Sequence, residues 1–272
     1  MIVATADVHY TKTRRKMFKR EKEKLRDAIA FIVAGDITVK GGIAEEAYWF
    51  AEIFKDVDVP KLYVLGNHDY WLYNFYEGRS KYTDFHEHIR DINRAMRANG
   101  FYNLSNFPVI LDDIAFCGVC GRYDGSLEEL VELSEEDVML KKSIISNDIF
   151  HLPANITQEM LIENDLKILE AQLEEVFDVP YKVCVMHFSP VVETLAGCSK
   201  AEYAYLGSRR FFDLTQKFDL VIHGHAHDGN GNPVRVGNTW YLNVSFELHR
   251  EFVRIDLRKF IKFNHRNFKS WA

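Results

Sequence analysis

Asp7 and His9 follow directly on the apolar run Ile2–Ala6, and the same arrangement recurs four more times along the chain. Phe31–Ala34 runs into Gly35-Asp36, and Leu62–Leu65 into Gly66-Asn67-His68-Asp69. Val183–Met186 runs into His187, and Leu220–Ile222 into His223-Gly224-His225-Ala226-His227. Each cluster alone has a plain structural use. Gly-Asp is turn chemistry, because Gly tolerates positive φ and Asp bonds its own backbone. The exception is His225-x-His227, a pair of nitrogen donors behind a glycine that no turn requires. Taken together, the clusters offer carboxylate, amide oxygen and imidazole, the donors divalent metals accept. Five such clusters at strand ends point to one shared metal site.

The motifs Asp7-x-His9, Gly35-Asp36, Gly66-Asn67-His68-Asp69, His187 and Gly224-His225-x-His227 also occur in a diagnostic order. In that order the chain resembles the calcineurin-like metallophosphoesterases. The resemblance runs from residue 7 to residue 227, and no position departs from the pattern. It implies a β-sandwich flanked by helices with a dinuclear centre at the strand ends. Asp7, His9 and His227 would hold one ion, and Asn67, His187 and His225 the other, with Asp36 bridging. His68 would lie beside the phosphate as a catalytic group, oriented by Asp69.

Those roles suit the chemistry. A phosphate ester repels nucleophiles, and two cations clamp its oxygens and acidify a bound water. The expected reaction is hydrolysis of a phosphate mono- or diester by in-line attack of a metal-bridging hydroxide, with no covalent intermediate. His68 would donate a proton to the leaving oxygen, an effect of about 10²–10⁴-fold. No Ser or Cys nucleophile motif competes. Nitrogen and oxygen donors without thiolate favour Mn or Fe, with Zn as the alternative. Gly35-Asp36 continues Ile37-Thr38-Val39, unlike the serine/threonine protein phosphatases. The expected substrate is a small phosphorylated molecule. A nuclease variant acting on nucleic acid and a non-catalytic scaffold binding a protein partner are the alternatives; the complete ligand set argues against the scaffold.

Placing these side chains takes parallel strands separated by helix-like segments, the pattern of an α/β sheet whose strand ends share a site. Further β-like runs at Val109–Ile114, Ala115–Val119, Trp240–Val244 and Phe252–Leu257 suggest a second sheet packed on the first. The expected fold class is α/β, a four-layer αββα sandwich, with residues 1–272 as a single domain. Between Asp124 and Asp178, fifteen Asp/Glu stand against Lys141, Lys142 and Lys167. Ser134 opens one helix as N-cap, and Thr157–Phe177 carries apolar residues at helical spacing. Residues 124–180 thus read as a mostly helical insertion or cap.

Four further residues are candidates for substrate contact: Arg122 and Tyr123 where the insertion starts, and Ser208 and Arg209 at a Gly-Ser helix entrance. The stretch Lys12–Arg26 holds nine Lys/Arg and should border the metal site, where it could attract a polyanion. His86, His88, His151, His223, His249 and His265 read as structural or surface residues. Cys117 and Cys120 lie on a strand-like run, pointing to opposite faces, with no second pair to complete a zinc site. With 47% hydrophobic and 27% charged residues and a net charge of −6, the composition excludes disordered and collagen-like chains. No run approaches a membrane span. The opening MIVATADVH is a strand pattern rather than a basic-then-apolar leader, so a cytoplasmic location is expected.

Overall fold

Alternation along the first strand already defines two layers. Ile2 and Ala4 pack into one apolar cluster, and Val3, on the opposite face, packs into another. The computed structural model describes residues 1–39, 43–72 and 84–261. Its strands are β1 (Ile2–Thr5), β2 (Ala30–Ala34), β3 (Lys61–Val64), β4 (Phe101–Asn103), β5 (Val109–Leu111), β6 (Ile114–Val119), β7 (Tyr181–Met186), β8 (Leu220–His223), β9 (Val234–Val236), β10 (Thr239–Asn243) and β11 (Val253–Ile255). The helices are α1 (Arg15–Glu21), α2 (Ala44–Glu52), α3 (Asn67–Tyr70), α4 (Phe85–Arg97), α5 (Glu135–Lys141), α6 (Asp148–His151), α7 (Gln158–Glu175), α8 (Phe212–Thr215) and α9 (Phe246–His249).

The strands form two sheets, in the orders β11-β1-β2-β3-β4 and β5-β6-β7-β8-β10-β9. Pairing is parallel except at β11, β5 and β9. Inner faces meet through Ile2, Ala4, Ile32 and Val64 on one side and Phe116, Val183, Val185 and Ile222 on the other. On the outer face of the first sheet, Phe31 and Val33 pack with Phe18 of α1, Phe50 of α2 and Ile92 of α4. On that of the second, Cys117 and Cys184 pack with Ile162 and Leu169 of α7. The molecule is therefore the four-layer α/β sandwich. Burial on both faces explains why the parallel strands read as unbroken apolar runs.

Three details differ from the sequence reading. The strands that end in the five clusters do not share one sheet: β1, β2 and β3 belong to the first, β7 and β8 to the second. The run Val109–Ile114 breaks at Asp112, whose φ of 52° turns the chain, so Ile114 begins β6. Phe252–Leu257 supplies β11 to the first sheet, pairing with β1. The stretch 124–180 itself divides. Its second half is α7, whose Ile162, Leu169 and Leu173 are buried in the sandwich core. Thr157 caps α7 and Ser134 caps α5, each hydroxyl accepting from a backbone N–H in the first turn. The four cysteines are free. No helix among the described residues is long and apolar enough to cross a membrane.

Candidate metal centre

Each site strand ends in a turn that only particular residues fit. Gly35 has a φ of 90°, and a Cβ there would lie 2.4 Å from the His187 ring. A Cβ on Gly66 would meet Asp36 Oδ1 at 2.1 Å. These glycines let backbone and ligand side chains pack against each other. Asp7, His9, Asp36, Arg122 and His225 all have positive φ, which is costly for a residue with a side chain and concentrates at functional sites. The strained turns interlock: His9 N donates to Asp36 O, His68 N to Asp36 Oδ1, and His225 N to Asp7 Oδ2.

The result is a cluster of three overlapping groups: Asp7, His9 and His227; His9, Asp36 and His68; Asp36, His187 and His225. Asp36 spans them. Its Oδ1 lies 3.4 Å from His187 Nε2, while its Oδ2 lies 3.7 Å from His9 Nε2 and 3.8 Å from His68 Nε2. Asn67 Oδ1 is 3.0 Å from His187 Nε2, and His227 Nε2 is 3.3 Å from Asp7 Oδ1. Asp7, Asp36 and His187 form the buried floor, with His9, His68 and His227 towards the opening at 12%, 24% and 39% side-chain exposure.

Four imidazoles share one arrangement. His187 Nδ1 meets Ala34 O at 2.9 Å, His9 Nδ1 meets Thr38 O, His68 Nδ1 meets Val39 O, and His225 Nε2 meets Tyr205 O. A ring nitrogen that donates to a carbonyl turns the other nitrogen towards the cluster, the orientation that metal ligation requires. Among the described residues, His227 Nε2 makes no polar contact beyond its approach to Asp7 Oδ1. Among the described residues, no Lys or Arg pairs with Asp7 or Asp36, although both are buried. Two carboxylates so deep need cations. The residues therefore fit two divalent ions.

The electrostatics follow from that crowding. Burial disfavours a charged His187, yet Asp36, Asp7 and the Ala34 carbonyl together outweigh it and lift its pKa to about 9. Burial likewise opposes ionisation of Asp36 and Asp7, but His187 and His227 respectively hold both below the usual carboxylate range. Burial, reinforced by the His187 charge, pulls His225 down to about 3, so its ring is neutral.

Asp69 stands apart from the expected role. Its carboxylate accepts from Ile37 N, Thr38 N, Thr38 Oγ1 and Gly66 N, fastening the turn after β2 to the turn after β3. The orienting contact of His68 comes from Val39 O. The four candidate substrate residues also have partners within the fold. Arg122 is fully buried with its guanidinium 4.2 Å from the Tyr70 ring centroid, and the Tyr123 hydroxyl meets Ser146 Oγ. Ser208 caps the turn at Arg209–Phe211, accepting from Arg210 N and donating to Asp124. Arg209 is exposed, with its N–H on Ser126 Oγ. In the basic stretch, Arg14 pairs with Glu247, Arg15 with Glu52, Lys22 with Asp56, Lys24 with Glu21 and Glu251, and Arg26 with Glu23. Lys12 lies over Trp49. Most of that charge is met internally.

Of the other histidines, His88 Nε2 meets Asp69 O, His223 Nδ1 meets Gly224 O, His249 Nε2 meets Asn243 O, and His151 stacks on Trp71. His86 begins α4, its N–H donating to the Asp84 cap, and His265 lies outside the described residues. Three residues near the site carry no motif signal: Thr38, Trp71 and Asp148. Trp71 stacks on His68 with ring centroids 3.7 Å apart, and Asp148 bonds Asn67. Only their contacts with Asn67, His68 and Asp69 mark them.

A family model described as calcineurin-like phosphoesterase matches residues 1–229. No curated protein matches the chain. Among solved structures, phosphopantetheinyl hydrolase from Mycobacterium tuberculosis superposes with a TM-score of 0.70 at 17% identity, over 94% of this chain and 96% of that one. A protein from Thermus thermophilus superposes with a TM-score of 0.57 at 18% identity, over 91% of this chain and 89% of that one. At those identities the likeness is one of fold.

Proposed function

Because the chain belongs to the calcineurin-like phosphoesterase family, we propose that it hydrolyses a phosphate ester of a small molecule at a dinuclear centre. The observation that carries this reading is Asp36, which faces the His187 group with one oxygen and the His9 and His68 rings with the other. Asp7, His9 and His227 would hold one ion and Asn67, His187 and His225 the second, with Asp36 shared. Bound ions would supply the positive charge that neutralises phosphoryl oxygens and acidifies a water from about 16 towards about 7. The oxygen and nitrogen donor set, without thiolate, favours Mn or Fe, with Zn next.

The chain's own residues do the rest. Asp7 and Asp36, buried and pinned by backbone N–H groups, keep their positions when charge builds up at the opening. His68 reaches that opening with Nε2 while Val39 O fixes its ring, a placement suited to donating a proton to the leaving oxygen. Trp71, stacked on His68, shields one face of the ring from water. The similar fold of a phosphopantetheinyl hydrolase makes phosphopantetheinyl esters a class to assay beside nucleotide and sugar phosphates. The internal pairing of the basic stretch speaks against a nucleic-acid chain.

The test is a paired assay on metal-stripped protein, with bis-p-nitrophenyl phosphate and p-nitrophenyl phosphate as substrates. Mn²⁺, Fe²⁺, Zn²⁺ or Co²⁺ is added back in turn. Metal-dependent turnover of either ester is expected, and the preferred ester defines the substrate class. Protein that holds two ions and turns over neither ester would overturn the reading in favour of a scaffold.

A further inference from the structure

Resting on that reading of the centre, we infer that Asp148, from the stretch between β6 and α7, is the positioning residue that fixes which end of the Asn67 amide faces the ions. An asparagine can present oxygen or nitrogen, and only the oxygen ligates. Here Asn67 Nδ2 donates to Asp148 Oδ1 at 3.2 Å while Asn67 Oδ1 points at His187 Nε2. An ionised carboxylate only accepts, so it discriminates between the two ends of the amide. Asp148 is itself held from several sides. Trp71 Nε1 donates to the same Oδ1 at 2.6 Å, and Gln158 Nε2 donates to Oδ2 at 3.0 Å. Asp148 is 1% exposed.

Arg122 completes the arrangement. Its Nη1 is 3.9 Å from Asp148 Oδ2, and none of its three side-chain nitrogens has a hydrogen-bond partner among the described residues. A fully buried guanidinium without such bonds is expensive unless its charge is balanced. Asp148 balances it, and Arg122 in turn balances the carboxylate. Because Trp71 also stacks on His68, this one carboxylate fixes a ligand and braces the neighbouring catalytic ring. The segment before α7 is thus part of the metal centre rather than a detachable cover.

Calorimetric titration of metal-stripped protein with Mn²⁺ tests this without reference to turnover. The wild type is expected to take up two ions. Asp148→Ala should weaken one of them by roughly 10–100-fold, the usual consequence of losing a partner behind a ligand, and leave the other unchanged. Asp148→Asn keeps an accepting oxygen, and Gln158 Oε1, which has no hydrogen-bond partner among the described residues, can turn to accept from the new amide. That variant should hold both ions within about threefold of wild type. If either variant does not fold because Arg122 is left uncompensated, the Arg122→Met, Asp148→Ala and Arg122→Met, Asp148→Asn pairs remove that charge and carry the same measurements. Two ions at wild-type affinity in the alanine variant, or equal weakening in both single variants, would overturn the role of Asp148 and leave the dinuclear reading standing. A wild type that binds no ion overturns both.

Discussion

Asp36 and His68 divide the work of the site by burial. Asp36 is 1% exposed and touches two ligand groups, whereas His68 reaches the opening and keeps one nitrogen on a backbone carbonyl. Because His68 Nε2 is also within 3.8 Å of Asp36 Oδ2, its role as acid or as ligand is decided by substitution. His68→Ala is expected to keep two Mn²⁺ per chain while kcat falls by about 10²–10⁴-fold, the contribution of a placed proton donor. Metal content measured beside kcat checks it, and loss of one ion would make His68 a ligand. Asp69 shows how a motif residue takes a different task. Next to a histidine in sequence, it spends its oxygens on Gly66, three residues back, and on Ile37 and Thr38, which it can reach only because β2 and β3 are neighbours.

At the level of elements, the helix α7 carries two buried polar side chains with a structural purpose. Gln172 accepts from Gly118 N on β6, and Asp165 accepts from Gly121 N just beyond it. Burial raises Asp165 to about 6 from 3.8, against the Gly121 bond and the Arg122 charge, which lower it. The folded pKa lies above the unfolded one, so the stabilising effect is complete below pH 3.8 and is lost as pH rises through about 6. Asp165→Asn retains the acceptor for Gly121 and removes the titration. Its stability should therefore decline less than wild type between pH 4 and pH 7, by roughly 2 kcal/mol. Urea unfolding of chelator-treated protein at the two pH values measures the difference; parallel declines would show that Asp165 is not the group concerned.

For the molecule as a whole, the centre sits where the two sheets meet. Asp7, His9, Asp36 and Asn67 come from the ends of β1, β2 and β3, and His187, His225 and His227 from those of β7 and β8. Ions bound across that seam stabilise the folded chain by mass action. Mn²⁺ at 100 times its dissociation constant should add about 2.7 kcal/mol per site. At roughly 2–4 °C per kcal/mol for a chain of this size, Tm should rise by about 5–10 °C for one site. Thermal melts with Mn²⁺ and then with excess chelator test this, with Asp36→Asn as the variant expected to lose the shift. An unshifted wild type would mean that no ion binds across the seam.

What could be read from the chain alone follows from locality. An apolar run that must be buried on both faces and then stops at donor side chains states both the strand and the ligand, and Gly35 and Gly66 mark the turns by their lack of a side chain. Helical spacing over Thr157–Phe177 likewise announced α7. The tertiary structure decided what depends on distance in space between residues far apart in sequence. It divided the strands between two sheets, joined Phe252–Leu257 to β1, and carried Asp148 across 81 residues to the amide of Asn67. It also enclosed Arg122, whose place at a strand end where the insertion starts suggested a reach towards substrate. A side chain's type and spacing determine which bonds it can make, but the packed fold determines which partner is within three ångströms to make them.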